Sequence, residues 1–433
     1  MKKLMTLLLG LMLAMSSISF SFGAEPPQII ADTAVLIDLS TGQVLYDKQM
    51  NKQKFPASTT KVMTALLTLE NLDLSEKVII DAETPFTTGN RIYLLEGEEV
   101  TVEQLLNAML IESANDAATA LAIKISGNIP DFAKLMNQRA KELGAKNTSF
   151  TNANGLPDEA HLTSAYDLAL IAREAMTHPE FRKIVTTYQY TFPATNKQPE
   201  RYLYNGNRLL WDSTTKVLLN GAWIPLKRPD VTGIKTGYTN AAGNCLISSA
   251  ERNGSEFISV IIQSNPENQF LDAIKLLDYG FANFKNVEIL ARGTLLGKVA
   301  IKGGQTASVN AILKDKATTV LPMELSPDIL STQVELPKSL MAPIAKGQKL
   351  GSLKIYETDR LIGEYDLVAE SAIDESLWMN LPGLALGTIG YLKYLAAFLV
   401  IIALILLTLR IHFKRRRVKR RRLRKAKATP PPS

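Results

Sequence analysis

The chain carries the tetrapeptide Ser-Thr-Thr-Lys twice, and each copy places a serine three residues before a lysine. In the first copy, Ser58 and Lys61 follow Pro56, and Val62 and Leu66 continue at helical spacing. Residues three apart on a helix share a face, at roughly 5–6 Å between Cβ atoms. A serine hydroxyl needs an adjacent base to act as a nucleophile, and a lysine can be that base if burial or a second cation keeps it neutral. The first copy therefore predicts a serine nucleophile with its own lysine base at the start of a helix.

The second copy is an internal comparison, because its surroundings differ. Ser213 and Lys216 are followed only by the short apolar run 217–219 before Asn220-Gly221. This pattern predicts a loop or a strand edge, where the same spacing does not bring the two side chains together. The tetrapeptide alone leaves Ser58 open as a nucleophile or as an ordinary helix start, so the decision depends on other polar residues.

A second polar motif separates two apolar helical stretches. Ser113-Ala114-Asn115 places a hydroxyl and an amide between them, where buried polar groups need partners. Helix capping by Ser113 or Asn115 explains the triplet equally well. The same spacing recurs at Ser126 and Ser308, so the triplet decides nothing by itself.

A third motif, Lys235-Thr236-Gly237, lies in a β-rich run. The threonine and the backbone can bind an extended ligand at a strand edge, and Gly237 has no Cβ to block close approach. Lys235 would add positive charge that lowers the pKa of Lys61 and attracts a carboxylate. The alternative is a solvated lysine beside a bulge glycine.

The composition excludes several other kinds of site. Cys245 is the single cysteine, so neither an intrachain disulfide framework nor a cysteine metal cluster can form. The three histidines, His161, His178 and His412, make no HExxH zinc pattern, and the chain has neither a GxSxG elbow nor a phosphate-binding loop. We therefore expect no metal and no cofactor, and a hydrolase built on this chain would use lysine rather than histidine as its base.

Both ends of the chain carry membrane-related signals. Residues 1–24 combine basic residues, an apolar run and a small-residue end, which predicts a secretory signal peptide. The run is short for the alternative, a first transmembrane helix. Sixteen uncharged residues over 394–409, extended by their flanks, predict a transmembrane helix over 393–413.

Positive charge is concentrated behind that apolar segment. From Arg410 onward there are 12 of the 49 basic residues, so the rest of the chain has 49 − 12 = 37 against 42 acidic residues. A basic run directly after an apolar helix indicates a cytoplasmic tail, 414–433, with the body of the chain on the extracytoplasmic side. Anionic membrane lipids are the expected partners of this tail, and nucleic acid is not.

The order of helices and strands predicts two domains before the membrane segment. A hairpin, a block of helices, three terminal strands and a closing helix over 269–284 predict one α+β domain, 25–284. Within it, the stretch 196–230 is expected to be loop-rich and irregular. Short β runs over 285–372 predict a small all-β domain without catalytic groups, and 373–392 would link it to the membrane helix.

The three polar motifs, taken together and in this order, closely resemble the active-site triplet of penicillin-binding proteins and serine β-lactamases. They are Ser58-x-x-Lys61, Ser113-x-Asn115 and Lys235-Thr236-Gly237. Their flanks, with Asn154-Gly155-Leu156 and the helix from Ser164, are similar to the low-molecular-mass D-alanyl-D-alanine carboxypeptidases. The resemblance covers most of residues 30–284. It implies an antiparallel sheet with a helical subdomain, followed by the β domain and a C-terminal anchor.

The resemblance also implies a function, a penicillin-sensitive carboxypeptidase that removes the terminal D-alanine from peptidoglycan stem peptides through an acyl-enzyme. Ser58 would be the nucleophile, Lys61 the base and Ser113 the proton relay to the leaving amine. The substrate-binding residues would be Asn115, Lys235, Thr236, Gly237 and Tyr238. Backbone N–H groups of Ser58 and Tyr238 would form the oxyanion hole, and β-lactams would acylate the same serine. The oligomeric state stays open.

One position departs from the pattern of this family. Members usually carry an arginine for the substrate carboxylate at the start of the helix after the third strand, where this chain has Gln269. We expect Lys235 and the Thr236 hydroxyl to take most of this role, with an arginine such as Arg201 or Arg208.

Two other functions are compatible with the same motifs. A class A-like β-lactamase needs a glutamate that activates the deacylating water, and Glu159 is the loop candidate. A catalytically inactive cell-wall-binding module would keep the fold, although intact Ser58, Lys61 and Lys235 argue against it.

Overall fold

The computed structural model describes residues 25–376 and 388–426. The α-helices are α1 (Lys61–Asn71), α2 (Val102–Ile111), α3 (Asn115–Ser126), α4 (Ile129–Glu142), α5 (Ala165–Ala175), α6 (Pro179–Thr186), α7 (Asn268–Asn283) and α8 (Thr388–Ala426). The first eleven strands are β1 (Thr33–Asp38), β2 (Val44–Lys48), β3 (Lys77–Ile79), β4 (Glu99–Thr101), β5 (Gln189–Phe192), β6 (Arg201–Tyr204), β7 (Lys216–Leu219), β8 (Ala222–Pro225), β9 (Val231–Thr239), β10 (Gly243–Arg252) and β11 (Ser255–Ser264). The remaining strands are β12 (Phe284–Leu290), β13 (Leu295–Lys302), β14 (Ser308–Leu313), β15 (Ala317–Pro322), β16 (Leu330–Glu335), β17 (Ser339–Met341), β18 (Lys349–Glu357) and β19 (Arg360–Ala369). The predicted signal peptide, 1–24, and most of the predicted linker lie outside the described residues.

A five-stranded antiparallel sheet in the order β2-β1-β11-β10-β9 lies at the centre of the predicted α+β domain. Side chains on a strand alternate between its two faces. In β1, Val35 and Ile37 accordingly pack into the core of the helical layer, whereas Ala34 and Leu36 pack with α7 on the other face. Both faces of the sheet are therefore covered, and β9 is left at the edge nearest the predicted active-site motifs.

The helical layer on one face positions the Ser113–Asn115 triplet. α2 begins with the capping box that the sequence predicts, because Thr101 and Gln104 bond each other's backbone N–H groups. α2 ends at Ile111 and α3 begins at Asn115, so the triplet is the short connection between two buried helices.

The prediction of an irregular stretch at 196–230 is wrong in part, because two hairpins include residues of this stretch. β5 pairs with β6, and β7 pairs with β8. The second hairpin turns at Asn220-Gly221, where both residues have positive φ, and Asn-Gly is the strongest two-residue hairpin signal. The sequence therefore did contain a signal for β7–β8. The first hairpin has a longer connection with no such marker.

The C-terminal region is β-rich, as predicted. Strands β12 and β15 pair with each other, and a six-stranded sheet has the order β16-β18-β19-β14-β13-β17. By spatial contacts, the described residues form two compact units. One includes residues 25–290, 316–332 and 355–363, and the other includes 291–315, 333–354, 364–376 and 388–426.

The last described element, α8, contains an apolar segment. Lys393–Val418 has a mean hydropathy of 2.6 over its most apolar window and is long enough to cross a membrane. None of that window is buried against the rest of the described chain. One apolar C-terminal helix is thus available as a membrane anchor.

Candidate active site

Ser58 and Lys61 meet in the arrangement that their spacing predicts. Ser58 lies in the 3₁₀ turn Ala57–Thr60, and Lys61 is the first residue of α1. The Nζ atom of Lys61 lies 3.0 Å from the Oγ atom of Ser58. It also donates to the Oδ1 atom of Asn115 and to the carbonyl oxygen of Asn154, at 2.7 Å in each case. A neutral amine has only two N–H groups, and these two acceptors use both, so its lone pair is left to face the Ser58 hydroxyl.

The surroundings of Lys61 favour that neutral form. Its side chain is fully buried, and burial lowers the pKa of Lys61 well below the ordinary lysine value. The positive charge of Lys235 lowers this pKa further, whereas the carboxylate of Asp116 raises it. The effect of Lys235 on Lys61 is the one the sequence predicts.

The carbonyl that holds Lys61 belongs to a tight loop packed on the 3₁₀ turn Ala57–Thr60, which we call the nucleophile turn because it carries the predicted nucleophile, Ser58. The Oδ1 atom of Asn152 accepts the N–H groups of Asn154 and Gly155, at 3.3 and 2.7 Å. Gly155 has φ +86°, and a Cβ atom there would lie 1.8 Å from the carbonyl oxygen of Ala57. Only glycine fits this contact, which fixes the loop relative to the turn that carries Ser58.

A buried histidine joins the same loop to the start of α1. The Nδ1 atom of His161 accepts the backbone N–H of Thr151 at 3.0 Å, and Nε2 lies 2.9 Å from the Oγ1 atom of Thr60. Burial lowers the pKa of His161 to about 4, so the ring is neutral near pH 7. Because Nδ1 accepts, Nε2 carries the hydrogen and donates to the Thr60 hydroxyl.

Ser113 and Asn115 reach the same site from the α2–α3 connection. Ser113 has φ +65° and lines the cleft together with Ser58. The Nδ2 atom of Asn115 donates to the carbonyl oxygen of Thr88 at 2.7 Å, which orients its Oδ1 atom toward Lys61. The N-cap of α3 is Ala114, with no side-chain capping bond, so capping does not explain the triplet.

The edge strand β9 forms the opposite wall of the site. A Cβ atom on Gly237 would lie 2.9 Å from the backbone nitrogen of Ser58, so the strand and the nucleophile turn are in close contact. Lys235 is only 2% exposed and donates to the carbonyl oxygen of Thr236 at 3.0 Å. Burial lowers the pKa of Lys235 to about 7, while the charge of Glu112 opposes this. The alternative of a solvated lysine is therefore wrong.

A cleft of about 380 Å³ opens at these residues. It is lined by Ser58, Asn90, Ser113, Gly206, Arg208, Thr236, Gly237, Tyr238, Asn244, Pro266, Gln269 and Phe270. Among these described residues, Arg208 is the single charged side chain. Gly206 brings this part of the chain against β9, since a Cβ atom there would lie 2.8 Å from the Oγ1 atom of Thr236.

Other candidates from the sequence lie elsewhere. Ser213 is exposed in the loop before β7 and does not line the cleft. The guanidinium of Arg201 pairs with Glu98, whose side chain is fully buried, so it is not available to a ligand. Glu159 is exposed and does not line the cleft, which removes the candidate base of a class A β-lactamase.

The sequence did not indicate what Asn154 and His161 do. The carbonyl of Asn154 carries no side-chain signature, and His161 lies 101 positions from Thr60 along the chain. Both contacts depend on how the loop at 151–156 folds back over α1. Arg208 was named only as one of two arginines, and its place in the cleft distinguishes it from Arg201.

The α+β fold and this site define a class of protein. A serine hydroxyl beside a buried lysine, at the edge strand of an antiparallel sheet, is the arrangement of a serine acyl-transfer enzyme with the fold of penicillin-binding proteins. Comparisons with known families place the chain more narrowly. The D-alanyl-D-alanine carboxypeptidase model of peptidase family S11 matches residues 21–265, and the model of the C-terminal domain of penicillin-binding protein 5 matches residues 284–375. The chain belongs to the D-alanyl-D-alanine carboxypeptidase family.

Individual relatives agree with this assignment. The D-alanyl-D-alanine carboxypeptidase DacF of Bacillus subtilis is 34% identical, over 86% of this chain and 94% of its own length. DacD of Escherichia coli is 32% identical over 82% of this chain and 89% of its own. The crystal structure of penicillin-binding protein 5 from Haemophilus influenzae is 31% identical and superposes with a TM-score of 0.64, covering 82% of this chain and 100% of that one. The sequence-based prediction of a serine-type D-Ala-D-Ala carboxypeptidase is thereby confirmed.

Proposed function

We propose that Ser58 is the nucleophile and Lys61 the general base of this carboxypeptidase. The observation that carries this assignment is the 3.0 Å contact between Nζ of Lys61 and Oγ of Ser58, with both N–H groups of a neutral amine directed elsewhere. Lys61 would take the hydroxyl proton as Oγ attacks the carbonyl of the penultimate D-alanine. β-Lactams would acylate the same oxygen.

Ser113 and Asn115 would serve the collapse of the tetrahedral intermediate. The proton held by Lys61 would pass through the Ser113 hydroxyl to the nitrogen of the terminal D-alanine, which then leaves as the free amino acid. Asn115 holds Nζ of Lys61 at 2.7 Å and would also orient the substrate amide. Water would then hydrolyse the ester at Ser58 and return the enzyme to its starting state.

The backbone N–H groups of Ser58 and Tyr238 would stabilise the negative charge of that intermediate. The close approach of Gly237 to the Ser58 nitrogen supports this role, because it brings the β9 edge beside the nucleophile turn. One such donor lowers the activation barrier by about 2.7–4 kcal/mol.

The test of the nucleophile compares the two Ser-Thr-Thr-Lys copies. We expect Ser58→Ala to abolish covalent labelling by fluorescent penicillin while the thermal unfolding midpoint stays near that of the wild type. Ser213→Ala removes the same hydroxyl from an exposed loop and should label normally. Label that persists in the folded Ser58→Ala protein would remove the assignment.

Arg208 and the Thr236 hydroxyl would bind the carboxylate of the terminal D-alanine. Arg208 is the charged side chain that lines the cleft, whereas Lys235 is buried, is not among the lining residues and donates to the Thr236 carbonyl. The Nε atom of Arg208 donates to Asp212 at 2.8 Å, and Nη2 also contacts that carboxylate. Because those two donors are shared, a substrate would compete for the guanidinium, and discrimination should be modest.

This assignment is tested with two peptides, one ending in free D-alanine and one in its amide. We expect the wild type to prefer the free acid about 10- to 100-fold in kcat/KM, the value of one charge-assisted hydrogen bond. Arg208→Met should remove most of this preference, whereas Gln269→Arg should increase it. Arg252→Met is the control, since Arg252 bonds Asp230 and Asp278 and does not line the cleft. A preference unchanged in Arg208→Met would show that another group binds the carboxylate.

The body of the chain would lie outside the cytoplasmic membrane, with the tail from residue 414 inside and in contact with anionic lipids. The apolar window of Lys393–Val418 and the basic residues behind it support this topology. Protease added outside intact cells should digest the body and spare the tail. A tail digested in sealed cells would overturn the orientation.

The contact with anionic lipids has a separate test. The purified chain should retain phosphatidylglycerol, and replacing the basic residues of 414–427 by glutamine should abolish that retention.

A further inference from the structure

The outer face of β6, together with residues just before β5 and after β6, carries a row of aromatic rings that the carboxypeptidase mechanism does not use. The ring centroids of Trp211 and Tyr188 are 5.2 Å apart, and those of Tyr188 and Tyr204 are 6.0 Å apart. Tyr202 follows on the same face of β6, two residues from Tyr204. The three tyrosines are 42–54% exposed. We call Trp211, Tyr188, Tyr204 and Tyr202 the aromatic row.

The aromatic row is held in place rather than mobile on a loop. The Nε1 atom of Trp211 donates to the carbonyl oxygen of Asn205 at 2.8 Å, and the N–H of Asn205 donates to the carbonyl of Tyr188 at 2.8 Å. On the inner side of β6, Leu203 is buried and Arg201 pairs with Glu98. Rings fixed in this way lose little conformational entropy when a ligand packs on them.

The row is continuous with the active-site cleft. The N–H of Tyr204 donates to the Oε2 atom of Glu112 at 2.9 Å, and Glu112 is the residue before Ser113. Two residues after Tyr204, Gly206 lines the cleft beside Thr236. A ligand that extends out of the cleft past Ser113 therefore reaches the aromatic row.

The chemistry of this face suits a carbohydrate. In the register of the hairpin, Gln189 is opposite Tyr204 and Thr191 is opposite Tyr202, and both of these polar side chains are exposed. The face thus alternates aromatic rings with uncharged hydrogen-bonding groups, and one carboxylate, that of Glu200, accepts a hydrogen bond from the hydroxyl of Tyr202. Sugar rings present C–H faces that pack on aromatic rings and hydroxyl or amide edges that bond such groups. Exposed aromatic patches of this kind mark interaction sites.

We propose that the aromatic row binds the glycan strand that carries the stem peptide. This inference rests on the proposed function, because the peptide in the cleft would bring its attached sugars to the row. The row would favour polymeric peptidoglycan over free stem peptides by contacts outside the reacting bond.

The experiment uses the full chain in detergent and two measurements. The first is binding of peptide-free glycan strands to Ser58→Ala protein, which cannot form an acyl-enzyme, so that its outcome is independent of the catalytic assignment. The second is the ratio of kcat/KM on intact peptidoglycan to kcat/KM on free pentapeptide. The test variant is Tyr202→Ala with Tyr204→Ala, and the ring-preserving variant is Tyr202→Phe with Tyr204→Phe. Trp223→Ala is the matched control, since Trp223 is an exposed aromatic residue on the separate β7–β8 hairpin.

We expect the double alanine variant to lose glycan binding and to reduce the kcat/KM ratio about tenfold, the effect of losing two aromatic contacts. The phenylalanine variant and Trp223→Ala should keep both properties. An equal loss on both substrates would mean that the hairpin only supports the fold, and that result would overturn the proposal. Absence of glycan binding by the parent protein, or concentration-dependent self-association that only the alanine variant abolishes, would overturn it too.

Discussion

Replacing Gly155 by alanine is expected to slow the enzyme through a collision with the backbone of the turn that carries Ser58. A Cβ atom at this position would lie 1.8 Å from the carbonyl oxygen of Ala57 and 2.9 Å from the Oγ1 atom of Thr60. Real contacts of a Cβ atom stay above 3.0 Å, so the loop and the nucleophile turn must separate by at least 3.0 − 1.8 = 1.2 Å. The adjacent residue, Asn154, supplies the carbonyl that holds Lys61, so this movement changes the position of the proposed base.

The size of the effect follows from two contributions. An alanine at φ +86° costs about 1–2 kcal/mol of stability, because its Cβ atom crowds the backbone. The displacement also lowers the catalytic rate. Lengthening the 2.7 Å hydrogen bond from Lys61 to the Asn154 carbonyl by about an ångström breaks this bond. A misplacement of about 1 Å can reduce catalysis about 100-fold. We therefore expect the rate of penicillin acylation to fall about 100-fold in Gly155→Ala.

Gly144→Ala separates the two contributions. Gly144 has φ +81°, and a Cβ atom there would have nothing within 4 Å, so this variant has the backbone strain without the collision. Both proteins should lose a similar amount of stability from strain, measured by thermal unfolding, but Gly144→Ala should acylate at the wild-type rate. An acylation rate within about threefold of wild type in Gly155→Ala would refute the argument that this contact positions the base.

Three further predictions follow from single contacts. Lys235→Met removes the positive charge that lowers the pKa of Lys61. The acid limb of the pH–rate profile for β-lactam acylation should therefore move to higher pH. Lys235→Arg keeps the charge and should leave the acid limb in place. Arg201→Met leaves the buried carboxylate of Glu98 without its cation and should lower the free energy of unfolding in urea by about 3–5 kcal/mol. Arg173→Met breaks hydrogen bonds to backbone carbonyls only and should lower it clearly less. Thr101→Ala removes the cap of α2 and should cost about 1 kcal/mol of unfolding free energy, and a loss shared by Thr101→Ser would contradict the capping explanation.

Much of the active site could be predicted from the sequence because its parts are local. A serine and a lysine three residues apart are brought together by a single helical turn, and the helical pattern that follows Lys61 is enough to predict this contact. The same holds for the strand that carries Lys235, Thr236 and Gly237, where alternation and the missing Cβ of glycine depend only on neighbouring residues. The apolar C-terminal segment and the basic residues behind it are likewise visible in composition alone.

Tertiary structure decided what these residues do to one another. The sequence predicted a loop or strand edge for the second Ser-Thr-Thr-Lys copy, but it could not show how deeply the first copy is buried. Lys61 is fully enclosed, and this burial lowers its pKa, whereas Ser213 and Lys216 are exposed. Two arginines of the stretch 196–230 likewise differ in their surroundings. The guanidinium of Arg201 pairs with a buried carboxylate, whereas Arg208 lines the cleft. Local spacing determines which groups can meet, but desolvation and long-range contacts determine their charge and partners, and both arise only when the chain is folded.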